Sequence, residues 1–363
     1  MVVLTIGSFQ HLCWLMLQFG ICLSEIFTSA ADQDIATRLK TSWDTRHAEE
    51  HSLFRFKLAG DAETRRVGRF IAQHCPGRAT KRPLGRSVEH VVSSFDFSKF
   101  HFLKADVREL LFAFPMSADG FASSSFEEGL PDVSMWEDMP KEAAALILNV
   151  SPILQYHFIL APALTALQPQ VLTLEALNTA ARFLLAGGQG LRLLYNSLGG
   201  AASVNHLHFQ GFYLPVEGMP ASLPLEAEEV VWHTPNLGET AKWPLQTLVV
   251  RANTAEALAR ETFRVVRWLL KHNIAHHLLL LRLPTSLRAY VVARRLQGAF
   301  DSSFINVAVN EAVGWLICPD ADEFHALNEE KAASLLERWR LPNTSWHQCI
   351  NHMTSTPDAH AEL

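Results

Sequence analysis

A short run of alternating polar and apolar residues constrains this chain more than any other segment. In SVNHLHFQGFYL, residues 203–214, the side chains of His206, His208 and Gln210 fall at every second position. Because side chains alternate between the faces of a β-strand, these three groups would share one face, roughly 7 Å apart in succession, while Leu207 and Phe209 would face the core. The segment therefore predicts a strand with a polar face whose groups need partners or a purpose.

The surrounding segments predict an α+β protein built from antiparallel sheets with packed helices. Apolar runs at 144–150 and 158–161 flank a Ser-Pro turn and indicate a hairpin. Leucines and alanines at helical spacing follow and stop at Gly187 and Gly188, after which a strand, a glycine-rich turn and the alternating strand complete the unit. A similar order of strand, helix and strands returns between residues 243 and 318, which indicates two related halves.

Composition divides the chain into four parts. Residues 1–45 are interpreted as an N-terminal extension, 46–220 as a first half that carries the polar strand, 221–345 as a second half, and 346–363 as a loose tail. The first residues lack the positive region of a signal peptide, and Gln10, His11 and Gln18 interrupt their apolar run. We therefore favour a non-secreted extension, with a targeting segment as the alternative, and expect no stable association with a membrane.

Overall charge and cysteine usage narrow the class of protein further. The 363 residues carry a formal net charge of -6, which gives no electrostatic reason to bind a nucleic acid. The five cysteines are an odd number and show no paired metal or redox spacing, so we interpret them as reduced thiols. Reduced thiols are typical of a cytoplasmic protein.

Two neighbouring segments supply candidate anion contacts. The glycine-rich turn YNSLGGAAS before the polar strand offers backbone approach and hydrogen-bond donors, and predicts a phosphate cradle. Its candidate residues are Asn196, Ser197, Gly199, Gly200 and Ser203. In FDFSKFHFLK, Phe100 and Phe102 are candidate pocket walls, and Lys99 and Lys104 are candidate contacts for a phosphate or nucleotide.

Three interpretations of the polar strand compete. The two histidines could simply hydrogen-bond in a polar sheet face, or they could bind a metal, since His-x-His is a known ligand spacing, although no third ligand is evident nearby. The third interpretation is nucleophilic catalysis. A neutral imidazole, available at pH 7 because its unperturbed pKa is about 6.5, can attack phosphorus and hold the transferred group covalently.

Specific motifs resemble a known family. The string NHLHFQ resembles the active-site strand of the histidine-triad superfamily, in its nucleotidyl-transferring His-x-His-x-Gln form. The strings LFRFKL, FDFSKFHFLK, NVSPILQYHFILAP, YNSLGGAASVNHLHFQGFYLPVE, NIAHHLLLLRL and INVAVNEAVGWL occur in the order seen in the family of GDP-D-glucose and GDP-L-galactose phosphorylases. The resemblance covers residues 53–340 and is densest at 195–214. It implies histidine-triad-like sheets in both halves.

The resemblance also implies an activity and a set of roles. The expected reaction converts GDP-glucose and inorganic phosphate into GDP and glucose 1-phosphate, without a cofactor or a metal. By position in the motif, His208 would be the nucleophile that carries GMP, Gln210 would donate to the α-phosphoryl oxygens, and His206 would fix the His208 tautomer through its backbone carbonyl. His157 would have a supporting role. The alternatives are a catalytically silent guanine-nucleotide-binding protein and a nucleotide-sugar hydrolase.

Overall fold

The structure, a computed structural model, describes residues 30–55, 63–76, 88–116, 136, 139–216, 219–297 and 307–355. The helices in these ranges are Ala30–Glu49 (α1), Leu174–Ala186 (α2), Ala255–Lys271 (α3), Val309–Ala312 (α4), Ala321–Ala326 (α5), Glu329–Glu337 (α6) and Asn343–Ser355 (α7). The strands are Glu63–Val67 (β1), Phe70–His74 (β2), Leu110–Pro115 (β3), Ala143–Leu148 (β4), Phe158–Ala161 (β5), Leu191–Asn196 (β6), Phe209–Tyr213 (β7), Val230–Trp232 (β8), Leu237–Thr240 (β9), Thr247–Ala252 (β10), Ala275–Arg282 (β11), Leu287–Arg294 (β12) and Trp315–Cys318 (β13).

A ten-stranded antiparallel sheet in the order β3-β4-β5-β7-β6-β11-β12-β10-β9-β8 forms the centre of the molecule. The first five strands of this order precede residue 220 and the last five follow it. The two groups meet where β6 pairs with β11, with Asn196 opposite His277. Helix α2 connects β5 to β6, and α3 connects β10 to β11. The same arrangement of elements therefore occurs twice within one continuous sheet.

Helices cover one face of this sheet. The Thr173 side chain caps the start of α2 by accepting from the Ala176 amide, and Thr254 caps α3 through the Ala257 amide. The apolar faces of α1, α2, α3 and α7 pack on the sheet and on one another, and form the main core. Within the described residues, no helix is long and apolar enough to cross a membrane.

The opposite face of the sheet is covered in two places. Strands β1, β2 and β13 form a small second sheet that packs on the second half with α4, α5 and α6. The segment around Phe102, together with Trp136 and Met139, covers the outer strands of the first half and forms a smaller core. The candidate site lies on this face at the inner strands of the first half, around His208 and Gln210.

Two boundaries predicted from composition differ from the structure. Helix α1 begins inside the predicted extension 1–45, and Ile35, Leu39 and Trp43 are buried in the main core. Helix α7 runs to Ser355 within the predicted loose tail 346–363, and its Trp346 is buried in the same core. Polar residues on the outer sides of both helices obscured their apolar contacts. Residues 1–29 and 356–363 lie outside the described part of the chain.

We expect Leu39→Ala to lower the free energy of unfolding by about 2 to 5 kcal/mol, because it removes a fully buried side chain of α1 and leaves a cavity in the main core. Urea denaturation monitored by circular dichroism measures the change. Thr41→Ala, at an exposed position of the same helix, is the matched control and should stay within about 0.5 kcal/mol of the wild type. Equal stabilities of the two variants would show that α1 is not part of the cooperative fold.

Candidate active site

An open cavity of about 300 Å³ lies against the polar side chains of β7 and extends towards β3 and β4. Its described lining residues are Arg55, Phe100, Phe102, Glu109, Leu148, Asn149, Val150, Ser151, Ile159, Ser203, Val204, His208 and Gln210. Three of the residues predicted for the site, His208, Gln210 and Ser203, therefore meet in one cavity, and the two candidate aromatic walls, Phe100 and Phe102, line it with them.

Hydrogen bonds fix the tautomer of His208. Its Nδ1 lies 2.7 Å from the carbonyl oxygen of His206, so Nδ1 carries the proton and donates it to that oxygen. The neutral ring therefore has its lone pair on Nε2. The ring also packs edge to face on Phe102, with the centroids 5.1 Å apart. The side chain is thus oriented both by a backbone acceptor and by an aromatic wall of the cavity.

The side chain of Gln170 holds the backbone at His208. Its Oε1 accepts from the His208 amide at 2.8 Å, and its Nε2 lies 2.9 Å from the carbonyl oxygen of Asn196 and 3.1 Å from that of His208. Gln170 is fully buried. Strand β7 begins only at Phe209, so this side chain replaces the ladder hydrogen bonds that the backbone at His208 lacks.

His206 lies behind the cavity rather than in it. Its Nδ1 accepts from the Phe102 amide at 3.2 Å, and its Nε2–H donates to the Leu164 carbonyl at 3.1 Å. Burial, with a smaller contribution from His208, lowers the pKa of His206 to about 4, so the ring is neutral at physiological pH. His206 therefore joins three chain segments and presents its carbonyl to His208.

His157 sets the orientation of the Gln210 amide. The Ile153 amide donates to Nδ1 of His157 at 3.1 Å, so the neutral ring carries its proton on Nε2. That Nε2 lies 3.1 Å from Oε1 of Gln210, which accepts its hydrogen bond, and also 3.1 Å from Nδ2 of Asn149. Gln210 lines the cavity. With its oxygen held by His157, its two N–H groups remain as its hydrogen-bond donors.

The metal interpretation finds no ligand set here. Both ring nitrogens of His206 are bonded to backbone groups, and Nδ1 of His208 is bonded to a carbonyl. Within the described residues, no group of three or more His, Cys, Asp or Glu side chains could hold a metal ion. The donors present are suited to hydrogen bonding and to nucleophilic attack.

Four of the five residues predicted to form a phosphate cradle in the glycine-rich turn lie outside the lining of this cavity. Asn196, Ser197, Gly199 and Gly200 do not line the cavity, because the turn packs on β11 and on the chain before α4. The Asn196 Oδ1 accepts from His277 Nδ1 and from the Val309 amide, and the Ser197 Oγ accepts from the His276 amide. Gly199 is required for packing, since it has φ +69° and a Cβ there would lie 2.4 Å from Leu296. Only Ser203 faces the cavity.

The two candidate lysines are each bonded within their own loop. Nζ of Lys104 donates to three backbone carbonyls, those of Phe97, Ser98 and Lys99, at 2.7 to 3.2 Å, so it closes its own loop. The Lys99 side chain is 60% exposed and pairs with Asp96 at 3.1 Å. Neither residue is among the described residues that line the cavity.

A second buried polar cluster lies further along the same sheet. Arg294 is fully buried, stacks 3.9 Å from the Trp339 ring and donates to backbone carbonyls. Glu311 accepts from the Ala308 amide at 2.9 Å and so caps α4. His276 is fully buried, with Nδ1 bonded to the Ile274 carbonyl. These residues hold the turn and α4 against β11 and β12.

Two charged residues of the cavity were not singled out from the sequence. Arg55 belongs to the LFRFKL string, and its amide donates to the Val150 carbonyl at 2.9 Å, which places it beside the end of β4. Glu109 stands in no recognisable motif. Burial raises the pKa of Glu109 to about 7, against the opposing effects of a hydrogen bond from the Asp106 backbone and of Arg55. Arg55 and Glu109 are distant in sequence, and only the fold brings them to the same cavity.

Comparison with known proteins agrees with this geometry. Residues 34–212 match the model for the GDPGP1-like N-terminal domain, and residues 232–359 match that for the GDPGP1-like C-terminal domain. The chain therefore belongs to the GDPGP1-like family, as the motifs indicate.

Its relatives include named phosphorylases. GDP-D-glucose phosphorylase 1 of Danio rerio is 29% identical over 342 residues, which cover 88% of this chain and 90% of the relative. The human GDP-D-glucose phosphorylase 1 is 31% identical over 84% of this chain and 79% of its own length. GDP-L-galactose phosphorylase 2 of Arabidopsis thaliana is also 31% identical, over 83% of this chain and 73% of its own length.

A solved structure shares the fold. Yeast Ap4A phosphorylase Apa2 in complex with Ap4A superposes with a TM-score of 0.56 over 84% of this chain and 98% of that chain, at 14% sequence identity. The expected α+β fold class is confirmed.

Buried neutral histidines should make the protein sensitive to acid. Burial lowers the pKa of His276 to about 4 and that of His277 well below its usual value. An unfolded histidine binds its proton near pH 6.5, so below that pH the unfolded chain gains protons that the folded chain does not, and stability falls. The raised pKa of Glu109 acts in the opposite sense between pH 7 and 4.5 and offsets part of the loss.

We expect His276→Asn, which removes one of these groups, to reduce the stability lost between pH 6 and pH 5 by about 1 kcal/mol. Urea denaturation at the two pH values measures the difference. His325→Asn, at an exposed position of α5, is the control and should leave the loss unchanged. If His276→Asn lost stability with pH as the wild type does, the His276 imidazole would bind its proton as readily in the folded protein as in the unfolded chain.

Proposed function

We propose that this chain is a nucleotidyltransferase that phosphorolyses a GDP-hexose, GDP-D-glucose in the first instance, into GDP and hexose 1-phosphate. The observation that carries the proposal is the His208 imidazole, held as the Nδ1–H tautomer by the His206 carbonyl on the wall of a cavity. Membership of the GDPGP1-like family and the named relatives support it. GDP-hexose and inorganic phosphate are the proposed substrates.

In the first step, the lone pair on Nε2 of His208 attacks the α-phosphorus of the GDP-hexose. The bond between Nε2 and phosphorus forms, the bond from phosphorus to the bridging oxygen breaks, and glucose 1-phosphate leaves with the electron pair. The Nδ1 proton stays on the ring, which becomes positively charged. That charge develops 2.7 Å from the His206 carbonyl oxygen, which stabilises it.

In the second step, an oxygen of inorganic phosphate attacks the same phosphorus. The bond to Nε2 breaks, the ring returns to its neutral form, and GDP is released. Each step inverts the configuration at phosphorus, so the two together retain it. The positive charge on the modified ring makes the imidazole a good leaving group, which explains why the covalent intermediate can be discharged by a weak nucleophile.

The transition state requires charge stabilisation more than a proton donor. Gln210 lines the cavity with its oxygen occupied by His157, and its two N–H groups are the donors proposed to bind the oxygens of the α-phosphoryl group. The Ser203 hydroxyl lies on the same wall. In the proposed mechanism, Gln210 and Ser203 contact the phosphoryl oxygens, a role that the sequence suggested for the glycine-rich turn.

We also propose a cytoplasmic location. Cys75, Cys318 and Cys349 are buried cysteines that form no disulfide bond within the described part of the chain. Burial raises the pKa of Cys318 and of Cys349 to about 12, which keeps these thiols protonated and unreactive. Free thiols of this kind are typical of proteins in a reducing compartment.

Incubation of the purified protein with GDP-glucose in the absence of phosphate should leave GMP covalently bound to His208. Intact-mass measurement after rapid quenching detects the adduct, which should be labile to acid and stable to alkali, as expected of a phosphoramidate. Addition of phosphate should then release GDP. Release of GMP at the same rate without phosphate would indicate a hydrolase, and turnover with no adduct would reject the covalent step.

Two substitutions separate the nucleophile from its assisting donor. His208→Ala should abolish turnover and adduct formation, because no other group of the site replaces the imidazole. Gln210→Ala should keep the adduct and lower kcat by about 100-fold, through loss of transition-state donors. Gln155→Ala, at an exposed position outside the cavity lining, should keep wild-type kcat. Wild-type turnover by His208→Ala would overturn the assignment.

A further inference from the structure

Glu109 lies at the end of the cavity opposite to the proposed nucleophile. Across the sheet, Gln210 pairs with Ile159, Ile159 with Ile147, and Ile147 with Leu110. At a spacing of about 4.8 Å between neighbouring strands, this row places Leu110 about 14 Å from Gln210. Glu109 immediately precedes Leu110 and lines the same cavity. The cavity is therefore elongated, with phosphoryl donors at one end and a carboxyl group at the other.

The proposed chemistry leaves this carboxyl group unused. The neighbouring Leu110 lies three strands away from Gln210, and neither step of the proposed mechanism assigns a proton transfer to Glu109. Its hydrogen bond from the Asp106 backbone occupies one acceptor position, whereas a carboxylate offers about four. Arg55 lies close enough to oppose the rise in its pKa that burial causes. A carboxylate that is partly buried beside a cavity requires a ligand or a partner to offset its desolvation.

The orientation of the nucleotide follows from the proposed function, on which this inference rests. When the α-phosphoryl group is held by His208 and Gln210, the nucleoside attached to it can extend along the cavity towards Glu109. Ile159 lies in the row between the two ends, and Phe100 and Val150 add apolar and aromatic surface to the cavity lining. Such walls suit a planar base, which packs against aromatic and aliphatic side chains.

We propose that Glu109 is the residue that selects guanine. Guanine carries two adjacent donors, N1–H and the 2-amino group, and a carboxylate can accept both through its two oxygens. Adenine presents an acceptor at N1 and no 2-amino group, so it would leave the carboxylate unpaired. Arg55, beside Glu109, is placed to donate to O6 and N7 of the same base, the contact by which arginine commonly reads guanine.

The test compares nucleotides that differ only at the edge read by the carboxylate. The value of kcat/KM is measured for phosphorolysis of GDP-glucose, IDP-glucose and ADP-glucose by the wild type and by Glu109→Gln. The base of IDP-glucose differs from guanine only in lacking the 2-amino group. The wild type should prefer GDP-glucose over IDP-glucose. Glu109→Gln should reduce that preference by about 10- to 100-fold, the effect of losing a charge-assisted hydrogen bond. Glu142→Gln removes an exposed carboxylate outside the cavity lining and should keep the wild-type preference.

A binding experiment separates this inference from the proposed function. Calorimetric titration with GMP, IMP and AMP requires no turnover. If wild type prefers GMP and Glu109→Gln does not, base selection by Glu109 stands even when no GDP-hexose is consumed. An unchanged GMP preference in Glu109→Gln, or an equal loss of affinity for all three nucleotides, overturns the inference and leaves phosphorolysis unaffected as a proposal. Glu109→Asp, which retains the charge one methylene further back, gives an intermediate preference and replaces the glutamine variant should that variant not fold.

Discussion

The side-chain amide of Gln170 holds the two inner strands of the site together at the point where they separate. Strands β6 and β7 pair through residues 191–194 of β6, and beyond that the chain at His208 has left the ladder. There the amide of Gln170 accepts from the His208 backbone and donates to the carbonyl oxygens of Asn196 and His208. Since unpaired backbone groups are costly in a buried position, this side chain allows His208, the proposed nucleophile, to lie at the end of a strand and line the cavity.

Backbone groups also decide where the protons of the site lie. The Ile153 amide places the proton of His157 on Nε2, which in turn holds the Gln210 oxygen. The Phe102 amide and the Leu164 carbonyl define the His206 ring, whose own carbonyl defines that of His208. Each of the three imidazoles therefore has a fixed tautomer in its neutral form. No ionised group is required to orient the Gln210 amide or the lone pair of His208. Burial favours these neutral forms, so the low dielectric of the interior supports the arrangement.

The sequence predicts those parts of the site that depend on local pattern. Alternation over 203–214 places His208 and Gln210 at the cavity and Leu207 and Phe209 in the main core, and the structure agrees. It fails where distant pairing decides the outcome. Ser197 turns away from the cavity because its Oγ is taken by the His276 amide on β11, and no local signal indicates that contact. Arg55 and Glu109 likewise meet only because β3, β4 and the N-terminal segment are neighbours.

The two halves of the sheet contribute differently to the site: the first half carries the cavity, and the second half packs against the strand that lines it. On the face that carries the cavity, β12 occupies in the second half the place that β7 occupies in the first, and its Tyr290 and Val292 are packed into the core with β13. Trp315 of β13 packs edge to face on Phe212, with the centroids 5.8 Å apart, and His157 also packs edge to face with Phe212, with the centroids 6.0 Å apart. Phe212 lies two residues after Gln210 on β7, so the well-packed second half fixes the strand that carries Gln210, the proposed hydrogen-bond donor to the phosphoryl group. Since packed cores resist small displacements, the donors of the first half are positioned by side chains that never touch the substrate.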